Sequence, residues 1–212
     1  MNPDMIFFDL DGTLIDSNGV WLQVDHDFLG RRGLEVTQEY QAVVSNSIFP
    51  VAAQFTRDYY HLPDEPQAIM DEWQAMAQDA YARTIPLKPG AQALLDKLQA
   101  QGRPMALLTA GLPALAKAAV ERHGLEKYFQ GLFFAHDVGL EKRDPEVYRI
   151  AAKQYGVSPT GCVLLEDAPH NCAAAKSAGF KVVGVYDDFY ANQWDTVQEN
   201  SHLAVKSLIE LL

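Results

Sequence analysis

Cysteine is nearly missing from this 212-residue chain, which has only Cys162 and Cys172. Two are too few for a disulfide framework. Neither stands at a zinc-ligand spacing from a histidine, so both are expected to be reduced packing residues. No apolar run approaches the roughly 18–20 residues that a membrane helix needs. The opening stretch, "MNPDMIFFDL", lacks the basic region and long apolar segment of a secretory leader. A cytoplasmic protein is the expectation. Positive charge is scarce too: 17 Lys and Arg face 28 Asp and Glu, for a net charge of −11 with His neutral. That balance argues against nucleic acid or an acidic membrane as the main partner. It leaves room for a small anionic substrate, because a local site can be positive while the whole is negative. Internal repeats and low-complexity segments are also lacking. What remains is an ordinary globular chain, 48% apolar and 21% charged, able to supply a packed core.

Five short apolar runs read as strands: "MIFFDL" at 5–10, "MALLTA" at 105–110, "LFFA" at 132–135, "CVLLED" at 162–167 and "KVVGVY" at 181–186. They are continuous rather than alternating, as strands covered on both faces of a parallel sheet are. Helical patterns lie between them at 88–102, 112–124, 144–156 and 168–179. Pro89, Pro113 and Pro145 stand near the starts of three of these, and Gly102, Gly124, Gly156 and Gly179 close all four. Asp144 is placed to cap the third. Strand and helix alternate from residue 85 onward, which predicts an α/β domain with a mostly parallel sheet.

Residues 16–84 break that rhythm. Ile69, Trp73, Met76 and Ala80 recur at helical spacing, as do Val20, Val24 and Phe28, and Pro50, Pro63 and Pro66 punctuate the segment. A structureless connection of this length does not belong in a compact domain. The expectation is a core domain of residues 1–15 and 85–212, with residues 16–84 inserted after the first strand as a helical cap.

Ligands of open α/β sheets sit beyond the carboxyl ends of the strands. The first strand ends in Asp9 and Asp11, the second in Thr109-Ala110-Gly111, and the fourth in Glu166-Asp167, while Lys142 follows the third. Acids so gathered repel unless something positive joins them. Mg2+ fits, being a hard cation that prefers oxygen ligands and accepts phosphate oxygens beside one or two carboxylates. Lys142 adds a second positive charge. The Thr109 hydroxyl and backbone N–H groups could hold phosphate oxygens.

"DLDGT", the Thr at a strand end, the Lys ahead of an Asp-Pro helix start, and "LLEDAPHNCAAAKSAG" stand in the order used by the haloacid dehalogenase-like superfamily. Over residues 5–186 the chain resembles the phosphatase and β-phosphoglucomutase-like branch of that family. The resemblance implies a doubly wound, mostly parallel Rossmann-like sheet with an inserted all-helical cap. It implies a Mg2+-dependent phosphohydrolase acting on a small phosphorylated metabolite, such as a sugar phosphate. Asp9 would be the nucleophile that becomes an aspartyl phosphate, and Asp11 the general acid and base. The Asp9 carboxylate, the Asp11 backbone carbonyl and the Asp167 carboxylate would hold the metal, with Glu166 reaching it through water. Thr109, the Ala110 backbone and Lys142 would bind the phosphate. Gly12 would let the chain turn after the strand.

The chain departs from the family pattern at three places. Ala110 stands where Asn is frequent, Arg143 where Pro is usual, and Asn171 where Gly is common. Asp11 argues against a carbon–halogen hydrolase, whose members lack that acid. The absence of Lys from residues 16–84 argues against a phosphonate hydrolase, which needs a Schiff-base lysine in its cap. A β-phosphoglucomutase-type phosphomutase shares every core residue and differs in the acceptor. A non-catalytic phospho-acceptor switch is a more distant alternative, since such receivers are shorter and lack the insert. His170 is expected at the rim of the site. The other five histidines have no partner spacing, and Trp21, Trp73 and Trp194 are expected to pack in the core.

Overall fold

The computed structural model describes residues 3–44, 47 and 49–212. Met1, Asn2, Ser45, Asn46 and Ile48, which belong to the expected domain ranges, lie outside the described residues. The chain divides into two compact units, Met1–Asn18 with Ile85–Leu212, and Gly19–Thr84. The first strand, β1 (Met5–Phe8), belongs to the former, and the smaller unit is inserted after it.

The inserted unit consists of α1 (Val20–Gly30), α2 (Gln38–Val44), α3 (Phe49–Tyr60) and α4 (Pro66–Arg83), with no strand among the described residues. Val20, Val24 and Phe28 are all buried, as their spacing requires. On α4 the buried face is Ile69, Trp73, Ala77 and Tyr81, a strict i, i+4 row. The expected Met76 and Ala80 flank that row half-buried, because the 3.6-residue turn carries the apolar stripe one position past them. Phe28 and Phe49 each meet Trp73 at ring-centroid distances of 5.7 and 5.5 Å. Trp21 departs from expectation: it is 38% exposed, with an edge contact to Phe49 at a ring-centroid distance of 5.4 Å. Pro66 occupies the first turn of α4 after an extended Glu65, where its missing N–H is harmless.

The larger unit resumes with α5 (Ala91–Ala100), then β2 (Met105–Thr109), α6 (Pro113–Arg122), β3 (Leu132–Phe134), α7 (Pro145–Gln154), β4 (Cys162–Glu166), α8 (Pro169–Ala178), β5 (Lys181–Val185), α9 (Trp194–Glu199) and β6 (Leu203–Val205). The sheet order is β3-β2-β1-β4-β5-β6, and every ladder is parallel. The register sets Phe8 beside Leu107 on one side and Leu165 on the other, which aligns the strands' carboxyl ends. Phe7 is fully buried between Tyr155 and Phe180, at ring-centroid distances of 5.6 and 5.4 Å. The expected Asp144 cap is formed, its carboxylate accepting from the Glu146 N–H at 2.9 Å. Both cysteines are buried and free. The helix expected from residue 88 starts at Ala91, because Gly90 holds a left-handed φ of +88°. The edge strand β6 and helix α9 have no counterpart in the sequence pattern: β6 is three residues long, and its Leu203 is 50% exposed.

Candidate active site

β1 lies at the middle of the sheet, between β2 and β4, and the strand order reverses beside it. That is the topological switch point, where side chains at the strand ends converge on a crevice. The Asp9 N–H still donates to the Leu165 carbonyl at 3.0 Å, extending the ladder by one residue. The chain then folds back: the Leu14 and Ile15 N–H groups both donate to the Leu10 carbonyl, and Gly12 takes a φ of +79°. This tight return delivers Asp9, Asp11, Thr13 and Ser17 within nine residues.

Lys142, 2% exposed, donates to Asp9 Oδ1 at 2.6 Å and also to Glu166 Oε2. The other Glu166 oxygen accepts from the Ala168 N–H at 3.0 Å. Asp167 receives the Thr13 hydroxyl on Oδ1 at 3.0 Å and the Asn18 amide on Oδ2 at 2.8 Å. Carboxylate oxygens of Asp9, Glu166 and Asp167 lie within 4.8 Å of one another. Asp11 is half-buried and accepts the Ser17 hydroxyl at 2.6 Å. A Cβ on Gly111 would stand 2.9 Å from Asp11 Oδ2 and 3.2 Å from Thr109 Oγ1, so glycine lets this loop close over both groups. Thr109, fully buried at the end of β2, accepts the Gly111 N–H at 2.9 Å.

Burial works against the charge of Lys142, but Asp9 and Glu166 outweigh it and hold its pKa well above the ordinary lysine value. Burial, then the charge of Glu166, pushes Asp9 up to about 8 against the pull of Lys142. Burial and Glu166 also raise Asp167 well above the carboxylate range. One ammonium thus serves the Asp9 and Glu166 carboxylates, and the third buried carboxylate, Asp167, adjoins them without it. A divalent cation would relieve this crowding of acids, and the donors on offer are all oxygen. This donor set fits a hard divalent ion of the Mg2+ kind.

A cavity of about 690 Å³ opens beside this cluster, lined by Ala110, Leu140, Lys142, Arg143, His170 and Asn171 among others. The three positions that depart from the family pattern, Ala110, Arg143 and Asn171, all face it. His170 is exposed at this cavity, as a rim residue would be.

The expected residues therefore gather as one group at the strand ends. Sequence reasoning missed Asn18, Lys88 and Asp187. Asn18 donates to both Asp167 and Asp187, and Lys88 donates to Asp187 at 2.6 Å. No spacing signal marks the latter two, which lie far from the motifs in sequence and meet them only through the fold.

Residues 3–179 match the family model described as haloacid dehalogenase-like hydrolase. The chain belongs to that family. This bears out the resemblance read from its motifs and makes the protein an enzyme, a phosphatase or phosphomutase. Among curated relatives, it is similar to fructose-1-phosphate phosphatase YqaB of Escherichia coli K12, 28% identical over 182 residues that cover 85% of this chain and 95% of the relative. It is also similar to validoxylamine A 7'-phosphate phosphatase of Streptomyces hygroscopicus subsp. limoneus, 31% identical over 195 residues that cover 84% and 83% of the two chains. In fold it is similar to the crystal structure of a putative β-phosphoglucomutase from Thermotoga maritima. The TM-score there is 0.87 at 23% identity, over 100% of this chain and 98% of that one. The doubly wound parallel sheet is thus shared with that structure. Among the described residues, no helix is long and apolar enough to cross a membrane.

Proposed function

We propose that the protein is a Mg2+-dependent phosphohydrolase that cleaves a small phosphorylated metabolite, such as a sugar phosphate, through an aspartyl phosphate on Asp9. The observation that carries this reading is the cluster of Asp9, Glu166 and Asp167 around Lys142 at the strand ends. The names of the curated relatives, which specify phosphatases of small phosphorylated compounds, support the substrate class. The cavity of about 690 Å³ is of a size to hold such a molecule.

In this reading Asp9 and Asp167, with the Asp11 backbone carbonyl, hold the cation, and Glu166 stands beside it. The bound ion supplies positive charge that draws in phosphoryl oxygens and offsets their repulsion by the carboxylates. Lys142 and the Thr109 hydroxyl, with the Ala110 N–H, hold the remaining phosphoryl oxygens. An Asp9 oxygen attacks phosphorus as the bond to the leaving oxygen breaks, and Asp11 gives that oxygen its proton. Asp11, now a carboxylate, takes a proton from water as the water oxygen attacks phosphorus, which releases phosphate and restores Asp9. Ser17 donates to Asp11 Oδ1, and Asp11 Oδ2 lies toward Gly111. The inserted Gly19–Thr84 unit acts as a cap domain in this scheme. Ala110, Arg143 and Asn171, the departures that line the cavity, would set which metabolite is accepted.

Turnover of p-nitrophenyl phosphate with and without EDTA, followed by a panel of sugar phosphates at fixed Mg2+, tests the reading. Repeated turnover that chelator abolishes supports it. Stable stoichiometric phosphorylation without turnover would overturn it in favour of a switch. Conversion of glucose 1-phosphate to glucose 6-phosphate would replace hydrolase with phosphomutase.

A further inference from the structure

Asp167 receives no help from Lys142, whose ammonium is taken by Asp9 and Glu166. Among the described residues, its two oxygens are held by neutral donors, the Thr13 hydroxyl and the Asn18 amide. The Asn18 nitrogen spends one hydrogen on Asp167 Oδ2 at 2.8 Å and the other on Asp187 Oδ1 at 3.1 Å. Because both neighbours are carboxylates, only the NH2 side of the amide can face them, so its orientation is fixed. Asp187 is 5% exposed and is itself anchored. Lys88 Nζ donates to its Oδ2 at 2.6 Å and to the Tyr186 carbonyl at 2.9 Å, and the Phe189 N–H donates to its Oδ1 at 3.0 Å. Lys88 in turn is tied to the first strand's return, since its N–H donates to the Leu14 carbonyl at 2.9 Å.

We infer that Lys88, Asp187 and Asn18 form a positioning chain that sets the orientation of the Asp167 carboxylate and so tunes cation binding at the strand ends. The ammonium of Lys88 pins the Asp187 carboxylate in a buried place. That anion holds the Asn18 amide, and the amide holds Asp167 Oδ2, leaving the remaining lone pairs of Asp167 aimed at the oxygens of Asp9 and Glu166. Gly12 makes the link possible: a Cβ there would lie 2.2 Å from Asn18 Nδ2 and 2.3 Å from Asp167 Oδ2. Partners behind a ligating carboxylate commonly change metal affinity by about 10–100-fold when removed.

The inference rests on the proposed use of Asp167 as a cation ligand, and one experiment separates the two. Mn2+ binding to the full chain, without substrate, is measured by titration calorimetry and by the loss of the free-ion resonance signal. The parent, Asn18→Ala, Asp187→Ala, their double variant and Asp167→Ala are compared. Each of the first two single variants is expected to weaken Mn2+ by about 10-fold or more. The double variant should be no weaker than Asn18→Ala, because Asp187 acts through Asn18. A merely structural role would lower melting temperatures and leave these affinities in place. Parent-like affinity in both single variants, or independent losses that add in the double variant, would overturn the chain. A parent that binds no Mn2+, or an Asp167→Ala variant that binds it as the parent does, would instead sink the ligand assignment and this inference with it. If Asp187→Ala proves too unstable to measure, Lys88→Met, which removes the donor to Asp187, should weaken Mn2+ by up to the loss seen in Asn18→Ala, and parent-like affinity there would overturn the chain.

Discussion

Lys142 Nζ lies 2.6 Å from Asp9 Oδ1 although 133 residues separate the two in sequence. Both are buried, and the same ammonium also reaches Glu166. Such a pair gains little net stability, because desolvating both charges offsets most of their attraction. It holds one Asp9 oxygen in place, and in the proposed mechanism the other is the attacking atom. Replacing Asp9 by Asn keeps the shape and removes the anion. Asp9→Asn is therefore expected to lose at least about 10³-fold in turnover while melting within a few degrees of the parent. Asp11→Asn should lose turnover with its Mn2+ affinity kept, since the group proposed to face the ion there is the backbone carbonyl. Near-parental rates in Asp9→Asn, or lost cation binding in Asp11→Asn, would refute these role assignments.

Removing the ammonium should do the opposite to stability. Lys142→Met leaves Asp9 and Glu166 buried with no positive partner. Breaking a buried pair in this way costs about 3–5 kcal/mol. Without Lys142, the Asp9 carboxyl, already raised by burial, favours its neutral form still more strongly in the folded state. A folded pKa raised above the unfolded one gives stability that is full at low pH and lost as pH rises through the folded value. The loss of melting temperature in Lys142→Met, measured without cation, should therefore grow from about pH 5 to pH 8. A loss that is constant with pH would show that the lysine's role there is packing alone.

Gly12 carries two separate demands. Its φ of +79° disfavours any side chain, and a Cβ would overlap the Asn18–Asp167 hydrogen bond. Gly12→Ala is expected to cost roughly 1–3 kcal/mol by denaturant unfolding. It should also weaken Mn2+, because Asp167 or Asn18 must move. A stability loss with unchanged cation affinity would separate the backbone effect from the link to Asp167.

The legible parts of this protein were those with a local signature. Continuous apolar runs marked β1 to β5, and Pro145 with Asp144 marked the start of α7 within a residue. Asp9, Asp11, Thr109, Glu166 and Asp167 were readable because each lies at or just past a strand's end, and Lys142 because it stands in the segment after β3; a parallel sheet brings strand ends together whatever the intervening sequence. Asn18, Lys88 and Asp187 were not, because their meeting depends on how two separate loops return to the sheet. β6 escaped because three residues with an exposed Leu203 carry no periodicity. Trp21 misled because aromatic size argues for burial, whereas its place on α1 leaves it in contact with Phe49 at an exposed position.

The inserted unit has its own titration. Asp25 on α1 accepts the Tyr40 hydroxyl at 3.1 Å, and Tyr40 is fully buried. Burial is the main reason that the Asp25 pKa rises from an ordinary 3.8 to about 6, with Tyr40 and His26 opposing. The folded value exceeds the unfolded one, so the carboxyl's contribution to stability is whole below about pH 4 and is lost as pH rises through about 6. Asp25→Asn keeps an acceptor for Tyr40 and removes the charge. A factor of ten in proton affinity is worth about 1.4 kcal/mol. Asp25 is only partly buried, so solvent screening reduces the whole effect to roughly 1–2 kcal/mol. Asp25→Asn should therefore be more stable than the parent by about that amount near pH 7.5, and the two should converge at about pH 4. Thermal unfolding of both chains across this range checks it, and curves that stay parallel would show that the buried carboxylate carries no such penalty.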